Sequence, residues 1–145
     1  MNVVPVVLAI VFWGVSSTVA QTVPGSLQTV RHLSIDSCVN QFTPSHVEST
    51  KVGYQYWFAD KSFLDGRTLK LSVVAPHQAT HPPHAHAEDE FFFILEGTAE
   101  FFLAGETRVV HPYASCYAPP NIEHGIRNVG DGILKYLVIK KYEIH

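Results

Sequence analysis

The sequence predicts an all-β domain, and two observations lead to this prediction. After residue 20, no long stretch shows the 3.6-residue hydrophobic period of an amphipathic helix. Instead, short apolar or alternating segments recur about every eight to twelve residues with turn-forming residues between them, as in a β-sandwich or barrel. The length of 145 residues is that of one domain.

The strands can be assigned in order along the chain. Residues 29–39 are predicted to form a short strand or an extended wrap, and residues 40–51 a loop. The following segments read as strands: 52–58, 68–75, 90–95, 98–103, 107–111, 114–118, 124–128 and 133–142. The turns between them are marked by Asp65-Gly66, Glu96-Gly97, Ala104-Gly105, Pro119-Pro120 and Gly130-Asp131-Gly132.

The strand at 90–95 is apolar on both faces. Phe92 and Ile94 share the face of the glutamate that opens the strand, while Phe91, Phe93 and Leu95 share the other. Both faces should therefore be covered, one by the core and the other by an N-terminal segment or a partner subunit. We expect a homodimer.

The first twenty residues differ from the rest. They carry no charged side chain, the run 3–15 is largely apolar, and small residues at 16–20 suit a signal peptidase. We predict a secretory signal peptide at 1–20, cleaved after Ala20, and a secreted or periplasmic protein. The alternatives are an uncleaved N-terminal anchor or a mis-chosen start codon, but the run is short for a membrane span of about 20 apolar residues. Residues 21–51 are predicted to be an N-terminal arm.

Composition limits the possible partners. The net charge of −3 and the lack of a Lys/Arg cluster argue against nucleic acid as a partner. Nine histidines are many for this length, and metal chemistry is one explanation. Cys38 and Cys116 could form one disulfide in an oxidising compartment or remain two buried thiols, and we favour thiols.

Two histidines and a glutamate lie close together in the sequence. His84 and His86 are separated by one residue, and Glu90 follows four residues later. In an extended strand these positions share a face, so two imidazoles and a carboxylate would converge on one point. Such a group suits a divalent transition metal, which also supplies the partner that buried polar groups need.

These residues are part of a longer resemblance. The first stretch resembles motif 1 of the cupin superfamily, G-x5-H-x-H-x3-E-x6-G, with His84, His86, Glu90 and Gly97 in place. A later stretch resembles cupin motif 2, G-x5-P-x-G-x2-H-x3-N, with Pro119, His124 and Asn128 in place. Gln78 and Tyr113 stand where the two motifs open with Gly, and Asn121 where motif 2 has its inner Gly. Asn tolerates positive φ, so that turn should keep its shape.

The resemblance implies a fold and a metal site. The fold would be a double-stranded β-helix, the cupin form of jelly-roll barrel, over residues 52–145. The metal ligands would be His84, His86, Glu90 and His124. Three imidazoles and a carboxylate leave open positions on iron, manganese, nickel, copper or zinc, and affinity alone does not choose among them. A polar core without metal is the alternative.

Two functions are compatible with this site. The first is a divalent-metal-dependent enzyme acting on a sugar acid or organic acid by oxygenase, isomerase or lyase chemistry. The second is a non-catalytic cupin that binds a sugar or metal as a binding or sensor module. A general base beside the metal would favour the enzyme. Tyr54, Tyr56 and Trp57 are more typical of a core than of a pocket lining, and His77 and His81 are expected at the rim.

Overall fold

The computed structural model describes residues 33–143, so the predicted leader and the first part of the predicted arm lie outside the described residues. A short helix, α1 (Ile35–Cys38), and a 3-10 turn (Pro44–His46) precede nine strands in this range. The strands are β1 (Glu48–Thr50), β2 (Gly53–Leu64), β3 (Arg67–Val74), β4 (Glu90–Glu96), β5 (Ala99–Leu103), β6 (Glu106–Val110), β7 (Ser115–Ala118), β8 (His124–Asn128) and β9 (Leu134–Lys141).

The strands form two antiparallel sheets, which confirms the all-β prediction. Six strands pair in the order β1-β2-β3-β9-β4-β7, and three pair in the order β6-β5-β8. Strand β9 pairs with β3 on one side and with β4 on the other, so that Thr68, Lys140 and Glu90 lie side by side. Because side chains alternate across a sheet, these three residues point to the same face.

The core lies between the two sheets. Ile94 and Leu134 from the larger sheet are fully buried, as is Ala99 from the smaller one. The Phe92 and Phe101 rings meet across the core with 5.7 Å between their centroids. Each fully buried large apolar side chain contributes roughly 1.5–3 kcal/mol to the free energy of unfolding, so this interface holds the barrel together.

The N-terminal part of the described chain departs from the sequence prediction. Residues 35–38 form a helical turn rather than a strand or wrap, because the Ser34 side chain accepts the Ser37 N–H and caps it. The predicted loop at 40–51 contains β1, which pairs with β2. Strand β2 continues to Leu64 and ends at the Asp65-Gly66 turn, whose φ angles of 51° and 71° are those of a hairpin turn.

A short segment before β1 covers the outer face of β2. The Tyr56 hydroxyl donates to Asn40 Oδ1 and to the Gln41 carbonyl, each over 3.0 Å. The Phe42 ring lies 4.9 Å from the Tyr56 ring, centroid to centroid. Tyr56 is consequently only 3% exposed and packs beneath this segment, outside the core cluster between the sheets. This cover does not reach β4, where Phe91 remains 43% exposed.

Neither cysteine forms a disulfide in the structure. Cys38 is exposed and Cys116 is buried, and both are free thiols. Burial raises the pKa of the Cys116 thiol, which keeps it protonated and unreactive. Within residues 33–143, no helix is long and apolar enough to cross a membrane.

Replacing Gly97 by alanine is expected to lower the free energy of unfolding by about 3 kcal/mol. Gly97 follows β4 with a φ of 89°, and an added Cβ would lie 2.4 Å from the Ile133 carbonyl oxygen. The positive φ alone costs an alanine about 1 kcal/mol, and the clash adds the rest. Urea unfolding of the variant measures the loss.

Gly105 provides the matched control. It has the same φ of 89°, but a Cβ at Gly105 would meet nothing within 4 Å. Gly105→Ala should therefore lose only about 1 kcal/mol. Equal losses in the two variants would show that the close approach to Ile133 is not important.

Candidate metal centre

His84 and His124, forty positions apart in the printed sequence, are paired through their backbones. The His84 N–H donates to the His124 carbonyl over 3.0 Å, and the His124 N–H donates to the His84 carbonyl over 2.9 Å. His124 opens β8, whereas His84 lies in the irregular segment between β3 and β4. This isolated antiparallel bridge fixes the separation of the two residues without using either side chain.

His86 is held by a turn rather than by a strand. The extended strand assumed for 84–90 is wrong, because β4 begins only at Glu90. The His86 carbonyl instead accepts the Asn121 N–H over 2.7 Å. Asn121 has a φ of 60°, which confirms the expectation that it would replace glycine in this turn. The turn therefore brings His86 next to His124.

The imidazoles of His84, His86 and His124 converge. One nitrogen from each lies within 4.8 Å of the other two. The Glu90 carboxylate joins them, with Oε2 lying 2.9 Å from His86 Nε2 and 3.5 Å from His124 Nε2. Glu90 is 9% exposed and His124 is fully buried. The four residues singled out in the sequence thus lie together on the inside of the barrel.

Backbone carbonyls set the protonation of two of the rings. His86 Nδ1–H donates to the Glu88 carbonyl over 2.8 Å, and His124 Nδ1–H donates to the Ile122 carbonyl over 2.7 Å. In a neutral imidazole the other nitrogen then carries a lone pair. Both Nε2 lone pairs face Glu90 Oε2, and acceptors this close repel each other unless a proton or cation lies between them.

The arrangement fits a divalent cation. Within residues 33–143, His84 Nδ1 and His124 Nε2 are buried without a hydrogen-bond partner, which is costly for a polar atom. Burial, followed by the nearby His81, His124 and His86, lowers the pKa of His84, although Glu90 opposes this. A lowered pKa keeps the ring neutral, as metal binding requires. Nitrogen donors with one anionic oxygen suit a transition metal.

Residues 70–140 match the family model described as the cupin domain. The chain carries a cupin domain. The double-stranded jelly-roll barrel that the resemblance implied is thereby confirmed, and both cupin motifs, at residues 78–97 and 113–128, lie within the matched range.

Known proteins similar to this cupin differ in their described roles. A Bacillus subtilis protein described as H2HPP isomerase is 35% identical over 72 residues, which cover 49% of this chain and 30% of that protein. A cupin 2 conserved barrel domain protein from Salinispora arenicola superposes with a TM-score of 0.60 and 19% identity, over 72% of this chain and 87% of that one. A predicted oxalate decarboxylase from Thermotoga maritima superposes with a TM-score of 0.59 and 19% identity, over 67% of this chain and 94% of that one. The two structural likenesses show the fold alone.

The departures from the cupin motifs leave the backbone intact. Tyr113, which replaces the opening Gly of motif 2, adopts a φ of 70° and is 83% exposed. A non-glycine residue in this region is strained by about 1 kcal/mol, and the exposed ring has room to accept it. At motif 1 the positive φ of 59° falls on His77, one residue before Gln78. His77 Nε2 lies 3.0 Å from Asp131 Oδ1, away from the histidine group.

A small cavity of about 150 Å³ opens beside the histidines of the cupin barrel. Its lining includes His81, as expected at the rim, and Trp57, which the sequence assigned to the core. Two lysines that the sequence analysis did not single out, Lys70 and Lys140, also line it. Strand parity could have found Lys140, because it lies in line with the inward-facing Tyr136 and Val138 of β9.

Lys140 contacts the group of histidines and Glu90 directly. Its ammonium lies 2.9 Å from His86 Nε2, 3.6 Å from Glu88 Oε2 and 3.8 Å from Glu90 Oε2. The side chain is 10% exposed. Lys140 therefore supplies a positive charge to the lone pair of His86 and to the Glu90 carboxylate.

Proposed function

We propose that His84, His86, Glu90 and His124 hold one divalent transition metal, and that the protein is a metal-dependent enzyme acting on a small sugar acid or organic acid. One observation supports this most strongly. The Nε2 atoms of His86 and of the fully buried His124 converge on Glu90 Oε2, at 2.9 and 3.5 Å. A bound cation would be attracted by all three atoms and would satisfy the unpaired His84 Nδ1 at the same time.

The residues of the chain have distinct roles in this proposal. A bound divalent metal would supply Lewis-acid chemistry, polarising an oxygen of the substrate. The Glu88 and Ile122 carbonyls orient the His86 and His124 rings by holding their Nδ1–H groups, a contact that raises the basicity of the other nitrogen. The Lys140 amine lies close enough to the open side to bind substrate or to transfer a proton. This amine favours an enzyme over a passive binding module.

The test combines metal analysis with an activity screen. Protein purified without added metal is expected to carry close to one transition-metal ion per chain, as measured by inductively coupled plasma mass spectrometry. It should then convert a member of a panel of 2-oxo, 2-hydroxy and uronic acids, followed by NMR, oxygen uptake and CO2 release. Activity should disappear on chelation and return with the metal. Full metal occupancy without turnover of any acid in the panel would favour a non-catalytic binding module over an enzyme. A protein that takes up no metal would contradict both functions.

We also propose that the protein is a homodimer. Phe91, Tyr117 and Ile139 are cross-strand neighbours on the outer face of the larger sheet, and are 43%, 42% and 45% exposed. An apolar row of this kind favours burial against a second copy. Light scattering is expected to give twice the mass of the mature chain for the wild type. The Phe91→Lys variant should give the mass of a single chain. Val109→Lys, at a 52% exposed position of β6, is the control. A monomeric wild type would contradict the proposal.

Export is proposed from the sequence of residues 1–20. The uncharged apolar run followed by small residues would direct the chain to a secreted or periplasmic location, with cleavage after Ala20. The intact mass of protein from the native host should then correspond to a chain starting at Gln21. A mass that includes residues 1–20 would contradict cleavage.

A further inference from the structure

Two lysines project from neighbouring strands onto the inner face of the larger sheet. Lys70 of β3 pairs with Val138 of β9, and Lys140 of β9 pairs with Thr68 of β3. The two lysines are therefore diagonal neighbours on one face, close enough for long side chains to act together. Both line the cavity of about 150 Å³ that His84 and Glu90 also border.

Lys70 has no anionic partner of its own. Its ammonium lies 5.1 Å from the centroid of the Trp57 ring, and within residues 33–143 no carboxylate lies within ion-pair distance of it. Burial lowers the pKa of Lys70, and the nearby Lys140 lowers it further, while Glu90 and Glu48 raise it. A half-buried ammonium without a counter-ion is costly, so a bound anion would stabilise it.

Lys140 contacts one of the proposed metal-ligand atoms. Its ammonium lies 2.9 Å from His86 Nε2. A cation bound to that nitrogen would repel the ammonium of Lys140. The Lys140 side chain also lines the cavity, so the ammonium has space to move into. Metal binding would therefore direct the Lys140 charge into the cavity, towards Lys70.

The charge balance also favours an anionic ligand. Without metal, the formal charges of Lys70, Lys140, Glu88 and Glu90 sum to zero, although both carboxylates lie beside Lys140 and neither pairs with Lys70. A divalent cation would leave an excess of two positive charges in a space where little water screens them. The cavity is about five times the volume of one water molecule in the liquid and is smaller than typical drug-sized pockets, so only a compact ligand fits.

We propose that Lys70 and Lys140 form a carboxylate-binding subsite, which holds the acid group of a compact organic acid while a second oxygen of the same molecule reaches the metal. This inference rests on the proposed metal site and narrows its substrate class. The two lysines are the residues that determine specificity, since the histidines and Glu90 can bind a metal without distinguishing acids from neutral molecules.

Malonate is a suitable probe, and its binding to the nickel-loaded full chain can be followed by titration calorimetry. Lys70→Met and Lys140→Met are each expected to weaken malonate binding by about tenfold to a hundredfold, the effect of losing a hydrogen bond to a charged group. Nickel content in Lys70→Met should equal that of the wild type. The neutral analogue malonamide should bind weakly to all forms. Lys141→Met is the matched control, because it removes the same charge from the adjacent residue, which is exposed and pairs with Asp65.

Three results would overturn the subsite: equal malonate affinity in Lys70→Met, Lys140→Met and Lys141→Met, equal affinity for malonate and malonamide, or binding of inorganic phosphate without malonate. A failure of the metal site has a different outcome. If the wild type takes up no nickel, the metal proposal fails by itself. The subsite is then tested in the metal-free chain. Malonate should bind more weakly to Lys70→Met, which lacks the unpaired ammonium, than to Lys141→Met, which keeps it.

Discussion

Replacing His124 by alanine is expected to lower the affinity for a divalent metal at least about 100-fold while the barrel stays folded. The His124 ring is fully buried, and its Nδ1–H is held by the Ile122 carbonyl, so only Nε2 is free to bind a cation. Loss of residues that merely orient a ligand already costs 10–100-fold, and loss of the ligand itself should cost more. Competition with a metal-binding dye measures the affinity.

The control for this change is His111→Ala. His111 follows β6, is exposed and lies outside the histidine group. It should keep the wild-type affinity, which separates loss of a ligand from loss of any imidazole. Circular dichroism should show the same β-rich spectrum for both variants, because the His84–His124 bridge uses only backbone atoms. Full metal occupancy in His124→Ala would contradict the proposed ligand set.

Replacing Asn128 by aspartate is expected to lower the free energy of unfolding by about 3–5 kcal/mol at neutral pH. Asn128 is 1% exposed, and its Nδ2 group donates to the carbonyls of Val74, Ala75 and Gly132 over 2.8–3.0 Å. Aspartate has almost the same shape but would direct a carboxylate oxygen at those three carbonyl oxygens. A buried charge facing unpaired acceptors costs several kcal/mol.

Urea unfolding with Asn121→Asp as the control tests this prediction. Asn121 is exposed in its turn, so the same chemical change should cost less than about 0.5 kcal/mol there. The loss in free energy of unfolding caused by Asn128→Asp should be smaller at acidic pH, because a protonated carboxyl can donate one hydrogen bond to the carbonyls. A loss that is small and independent of pH would show that the amide does not link β3 to the turn after β8.

Much of the barrel and all four clustered residues could be predicted from the sequence. Hairpin turns such as Asp65-Gly66 carry their own signal, since they need positive φ. The grouping of His84, His86 and Glu90 was also correct, although the reason given for it was not. A shared strand face was expected, whereas a backbone bridge and a turn at Asn121 bring the rings together. Such long-range contacts leave no local periodicity to detect.

Lys70 was missed because the polar alternation of β3 is misleading. Thr68, Lys70 and Ser72 alternate with Leu69 and Leu71, a pattern that normally places the polar residues in solvent. In the barrel Thr68 and Ser72 are each only 4% exposed, so the polar face is the inner one. A barrel with a polar centre reverses the usual rule, and the sequence of one strand does not contain that information.

The bridge between His84 and His124 separates the placement of these two positions from their chemistry. Since main-chain atoms alone set the spacing, a different side chain at either position would project from the same spot. Cysteine, aspartate or a second glutamate could therefore replace one imidazole without a change in the backbone of the barrel. A change in metal preference would then require only a few substitutions at these positions and no change of fold.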